Sequence, residues 1–189
     1  LASPAHRQRY GLQSRRCLAT LNGLVTTPTI IDEFEEIVVA TDAMPPDDWQ
    51  RAYRFGYVVS AAMNLKLLDV VVAWLRATAK VDVRRFFEAL LAAVETAEPT
   101  CALGRWRLVL CQFTESILAG GALHLCLDGY GPRRWTVDEA LFVIALDAGA
   151  DFFDEVKAAT VAFLAAQDAE GAAAQPLDFV DELFTYQAL

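Results

Sequence analysis

The chain has 189 residues, 55% of them hydrophobic, with a formal net charge of -9 and a pI near 4.7. That length buries a sizeable core without a metal or disulfide, and the abundance of Leu, Ile, Val and Phe excludes disorder as an overall description. The negative charge opposes attraction to phosphate backbones and anionic lipid, so neither nucleic acid nor a membrane surface is an expected partner.

Residues 1–32 carry Pro4, Gly11, Gly23 and Pro28 among basic and polar residues, which predicts irregular chain with a short helix near Ala5 to Tyr10. The opening stretch lacks the apolar core of a signal peptide and starts at Leu1 without methionine, so a piece of a longer protein is expected. Ile37, Val38 and Val39 form a β-branched run within 34–41 and predict a short strand. A lone strand leaves backbone groups unpaired; its neighbour is expected either from residues 15–27 or from a sheet outside this chain.

Pro45 and Pro46 followed by Asp47 and Asp48 open a helix. Beyond them Trp49, Tyr53, Gly56, Ser60, Met63, Leu67, Val71 and Trp74 recur at steps of three and four, while Phe55, Val58, Val59, Ala62 and Val70 make the opposite face equally apolar. The pattern predicts one long helix surrounded by protein. A membrane span over 53–75 is disfavoured, because Lys66 and Asp69 would each cost roughly 2.5–3.5 kcal/mol inside a bilayer.

Asp82 caps a further helix whose stripe is Phe86, Phe87, Leu90, Leu91 and Val94 and whose end is marked by Pro99. The next segment places Trp106, Leu110, Phe113, Ile117, Gly120 and His124 on one helical face, with Gly120 and Gly121 marking an end or a close approach of backbones. Thr136 and Glu139 frame a capping box, and Gly149 interrupts the helical stretch that continues through Phe152, Val156 and Leu164. Residues 165–176 read as a flexible connection and 177–187 as a short amphipathic helix. The predicted fold is mainly α: an irregular helical bundle of five to seven helices with an N-terminal extended segment and one or two short strands. Residues 1–44 make the extended segment and 45–189 the helical domain.

Motifs for chemistry are sparse. Cys17, Cys101, Cys111 and Cys126 have neither CxxC nor zinc-ribbon spacing, which predicts reduced thiols in a cytoplasmic protein. His124, Cys126, Cys111 and Glu115 invite a metal reading, but on a regular helix His124 and Cys126 stand about 200° apart; a core histidine beside buried thiols is the ordinary alternative. No phosphate loop, GxSxG or HExxH occurs, and two histidines leave little material for a triad. Trp49, Tyr53 and Tyr57 with Arg54 and Asn64 form the candidate ligand-binding set, suited to an aromatic or carboxylate-bearing ligand; the ordinary role of such side chains is to anchor packing with hydrogen-bonded tips. Arg133, Arg134 and Trp135 read as a solvated turn. No catalytic or metal-ligating residue is nominated.

The stretches "SPAHRQRYGL" and "EEIVVATDAMPPDDWQRAYRFGYVVSAAMNLKLLDVVVAWL" resemble the C-terminal region of cobalamin-binding radical S-adenosylmethionine enzymes. The shared pattern is a short strand, a Thr-x-x-Met turn, an Asp-Trp pair and a long aromatic helix, carried here by Thr41, Met44, Asp48, Trp49, Tyr53 and Phe55 within residues 3–76. That family's CxxxCxxC cluster motif and its cobalamin-binding domain are absent from this chain, so no catalytic residue is transferred. The resemblance implies an accessory helical domain that completes a substrate site, or binds substrate or partner, and is not catalytic alone. Its partner would be an upstream catalytic domain of the same polypeptide. Iron-sulfur cluster, S-adenosylmethionine and cobalamin are expected only in that parent, and no cofactor in this chain. The alternative is an independent helical interaction or dimerisation module. Either way, the apolar helix of the isolated chain is expected to drive homo-oligomer formation.

Overall fold

The computed structural model describes residues 3–20, 23–24, 32–169 and 179–187. It is a mainly helical, irregular bundle with short antiparallel strand pairs. Among the described residues there are eight α-helices and five short strands, more of each than expected: the long helix is broken, and strands form at Gln13–Leu18, Gly23–Leu24, Leu125–Cys126 and Arg133–Trp135 besides Phe34–Ala40. Two compact units are distinguished, Leu1–Gly56 with Val109–Ala140 and Tyr57–Leu108 with Leu141–Leu189.

In the first unit, helix α1 (Pro4–Arg9) starts with Pro4 in its first turn and Ser3 Oγ accepting from the His6 amide. Strand β1 (Gln13–Leu18) pairs antiparallel with β3 (Phe34–Ala40), from Gln13 opposite Ala40 to Leu18 opposite Phe34, with a register shift at Gln13/Ser14. This supplies the partner that strand 34–41 required. Arg7 on α1 bonds Glu36 on β3 and Ser14 Oγ on β1. A second sheet runs in the order β2 (Gly23–Leu24), β5 (Arg133–Trp135), β4 (Leu125–Cys126). Arg133, Arg134 and Trp135 are thus the central strand of a sheet and half-buried, not a solvated turn.

Helix α2 (Pro46–Val59) begins where the paired acids predicted. Helix α5 (Ala102–Leu118) ends in a Schellman motif: Gly120 adopts a φ of 78°, its amide bonds Ile117 O at 3.0 Å and the Gly121 amide bonds Ser116 O at 2.8 Å. The β1–β3 pair docks on that helix end. Leu18 donates to Gly121 O and accepts from the Leu123 amide, both at 3.0 Å, and Arg15 Nε reaches Leu118 O at 2.9 Å. Cys17, Val39, Trp49, Leu110, Phe113 and Ile117 are buried core.

In the second unit the expected continuous helix does not form. A π-helical turn (Ser60–Asn64) follows α2, Lys66 takes a left-handed φ of 61°, and α3 (Asp69–Ala77) departs after a bend of 94°. Leu68 closes the break by donating to Ala62 O at 2.9 Å. Gln187, on α8 (Val180–Gln187), holds it from outside: its Oε1 accepts from the Val70 and Val71 amides at 2.9 and 3.4 Å, and its Nε2 donates to Lys66 O at 3.4 Å. Among the described residues no single helix is long and apolar enough to cross a membrane; Pro46–Asn64 and Asp69–Ala77 reach that composition only as the bent pair.

Asp82 caps α4 (Val83–Thr96) through the Arg84 amide at 2.9 Å, as its sequence predicts. Helices α6 (Val137–Ala148) and α7 (Ala150–Ala169) are divided by Gly149 at a φ of 56°. α7 therefore takes in part of the expected flexible connection at 165–176, and the rest lies outside the described residues. α4 packs on α7, with Phe86 edge-on to Phe163 at 5.8 Å, and α8 packs on both α7 and α3. Glu155 on α7 caps α5 with both oxygens, 2.9 Å from the Ala102 amide and 2.8 Å from that of Leu103. Val58 and Val71 have no exposed surface, so α2 and α3 are enclosed at these positions, and the large exposed apolar side chains lie elsewhere.

Candidate functional site

The Thr-x-x-Met segment folds as a closed turn. The Thr41 and Met44 backbones exchange hydrogen bonds at 2.9 and 3.2 Å, and Thr41 Oγ1 accepts from the Ala43 amide at 3.2 Å. The turn delivers Pro46 to the first position of α2 and sinks Trp49 to 1% exposure. Tyr53, one helical turn on, stacks against Trp49 with ring centroids 4.2 Å apart, tilted by 33°. Trp49 Nε1 is buried without an acceptor among the described residues. Arg54 donates through Nε and Nη2 to the Thr114 hydroxyl at 3.3 and 3.1 Å, and that buried hydroxyl in turn donates to Leu110 O at 3.0 Å. Tyr57 and Asn64 belong to the second unit, and Asn64 is exposed, its amide donating to Ser60 Oγ at 3.1 Å. Of the five candidates, then, Trp49, Tyr53, Arg54 and Tyr57 all lie on α2, the first three in its first-unit part, and Asn64 lies beyond its end.

His124 is not on α5, since the helix stops at Leu118; it precedes β4, half-buried, with Nδ1 2.9 Å from Thr20 Oγ1. His124 and Cys126 therefore do not share a helix, Cys126 lying on β4. Burial pushes the imidazole below its ordinary value of 6.5; Glu139 opposes that, Arg134 reinforces it, and Glu35 and the Thr20 bond oppose it. The folded chain thus prefers the neutral ring. The stability tied to this group is complete above pH 6.5 and is lost as the pH falls below it through the folded-state value. The slope of unfolding free energy between about pH 5 and 7 is expected to be shallower in His124→Gln than in the wild type, as read by urea titrations at each pH. Equal slopes would remove His124 as a contributor.

The thiols expected to be buried beside it are not. Cys126 is exposed and Cys111 half-buried, whereas Cys17 is fully buried, its Sγ 3.6 Å from Ile117 O. Burial pushes the Cys17 thiol up, against the lowering effect of Arg15. Timed alkylation with peptide mapping is expected to label Cys126 first and Cys17 only on unfolding; early Cys17 labelling would contradict this packing. Among the described residues no group of three or more His, Cys, Asp or Glu side chains is arranged to hold a metal ion. On β5 the Arg133 guanidinium stacks on Trp135 at 4.4 Å, and neither Arg133 Nε nor Trp135 Nε1 has an acceptor among the described residues.

The second unit holds an open groove of about 580 Å³ that the sequence reading did not nominate. One wall is the α3 stripe Val70, Ala73, Trp74 and Ala77, where two alanines leave space beside a tryptophan. The other is Phe179 with Glu182, Leu183 and Tyr186 of α8. Trp74 and Phe179 face each other at 6.1 Å, tilted by 30°. The spacing of each stripe was available in the sequence, but the pairing of α3 with α8 was not. No family model and no curated protein matches this chain.

Proposed function

We propose that the chain is an accessory binding domain of a cobalamin-type radical S-adenosylmethionine enzyme, not catalytic alone, with the cluster and both cofactors held by an upstream part of the parent polypeptide. The observation that carries this reading is the contiguous arrangement of β3, the closed Thr41–Met44 turn and α2 with Trp49 buried beneath Tyr53, the same order of elements as in the sequence pattern that prompted the resemblance. A half-buried Arg54, whose hydrogen bonds among the described residues go to the neutral Thr114 hydroxyl, adds a cation suited to a carboxylate-bearing ligand. The test is the gene upstream of the Leu1 codon. A CxxxCxxC in the same frame is expected, and an in-frame stop with no such motif overturns the proposal. Anaerobic reconstitution of the isolated chain is expected to leave it without a stoichiometric iron-sulfur cluster.

A second reading, an independent binding module, is favoured by the groove between α3 and α8, which is formed wholly within the second unit and needs no parent enzyme to exist.

A further inference from the structure

We infer that the α3–α8 groove is a binding site for a small organic cation with an apolar body, of the alkylammonium or quaternary ammonium class. Three aromatic rings of different types line one open volume of about 580 Å³, the size range of small-molecule sites. Trp74 and Leu183 are the buried parts of its lining, while Phe179 and Tyr186 keep 43% and 66% of their surface exposed. Two large aromatics left this open on one groove constitute an apolar surface that a ligand would cover.

Charge selects the ligand class. Glu182 is the single ionised side chain of the lining. Its neighbour Asp181 is engaged by Lys157 at 3.4 Å, while among the described residues Glu182 forms no ion pair. An aromatic face attracts a cation through its quadrupole, and a carboxylate at the rim adds a charge partner; an anion would be repelled by both, and a neutral ligand would gain from neither. The net charge of -9 raises the local concentration of cations over anions in the same sense. The inference concerns only groups of the second unit and stands whether or not a parent enzyme exists.

Calorimetric titration with benzyltrimethylammonium, set against its uncharged carbon isostere, tests it. The cation is expected to bind about tenfold more tightly than the isostere, as aromatic and carboxylate contacts to a partly desolvated cation imply. Glu182→Gln is expected to weaken the cation several-fold and leave the isostere unchanged, and Tyr186→Leu, at an exposed position that tolerates change, is expected to weaken the cation more than the isostere. Circular dichroism verifies that both variants fold. Equal affinities for cation and isostere, absence of cation binding, or an unchanged cation affinity in Glu182→Gln would each overturn the assignment. So would a concentration-dependent dimer that Tyr186→Arg dissolves, since a second copy would then be the occupant.

Discussion

Trp106→Ala is expected to destabilise the protein by about 3–5 kcal/mol. Trp106 has no exposed surface and stacks on Phe152 with centroids 5.0 Å apart, while Phe152 meets Phe153 edge-on at 5.3 Å. Its indole Nε1 donates to Leu141 O at 2.9 Å in a buried bond that ties α5 to the start of α6. Truncation leaves a cavity and takes the donor from a buried carbonyl at once. Against a total stability of about 5–15 kcal/mol, that loss is large. Urea unfolding should show a lower midpoint with the slope unchanged. Trp106→Phe keeps most of the packing but not the donor, and its cost should be less than half as great. An alanine variant within about 1 kcal/mol of wild type would mean that the site collapses around the loss.

Two glycine-to-alanine changes are expected to have opposite signs. A Cβ at Gly104 would stand 1.7 Å from Glu98 O, 2.4 Å from Glu98 C and 3.0 Å from Pro99 Cα, all of them backbone atoms that no rotamer change can move. Relief by sliding α5 is opposed by the Glu155 carboxylate, which grips the amides of Ala102 and Leu103 immediately before. Gly104→Ala is therefore expected to cost at least about 1–3 kcal/mol, the range for overpacking. At Gly56, in α2, a Cβ meets nothing within 4 Å, and alanine there should stabilise by about 0.5–1 kcal/mol through reduced freedom of the unfolded chain. Thermal melts of the two variants beside wild type decide the matter. Helix propensity alone assigns both changes the same favourable sign, so a stabilising Gly104→Ala would contradict the close approach at residues 98–99.

Local signals were readable where they are carried by neighbours in sequence. Asp82 caps α4 directly, and the Thr136–Glu139 box starts α6, with the Thr136 amide 3.2 Å from Glu139 Oε2, although the Thr136 hydroxyl turns to Asp138 at 2.6 Å. Gly120 and Gly149 end helices because both adopt left-handed φ values. The break after Asn64 has no such marker. Ser60 to Leu68 contain neither glycine nor proline, and the left-handed residue is a lysine held by a glutamine from the far end of the second unit. The five candidates share a chemistry, polar aromatics with an arginine and an asparagine, and Asn64, at the end of the π-helical turn, is exposed beyond α2. Arg133 to Trp135 read as a turn because two of their neighbours are glycines, yet pairing with β2 and β4 makes them a strand. The groove escaped notice for the same reason: each half is an ordinary amphipathic stripe until the other is laid beside it.

The Gln187 clasp also sets an order of events during synthesis. Val70 and its capping partner are 117 residues apart, and a ribosome adding about 5–20 residues per second needs roughly 6–23 s to cover that distance. Helix formation takes microseconds or less, so α3 can coil long before the side chain that terminates its open end has been made. During that interval the Val70 and Val71 amides lack the Gln187 acceptor, Val70 having Asp69 Oδ1 alone, and Trp74 has not yet met Phe179. The α3–α8 clasp therefore cannot close before translation has passed residue 187, and a nascent chain stalled short of that point presents the aromatic surface of α3 to whatever chaperone or protease is near.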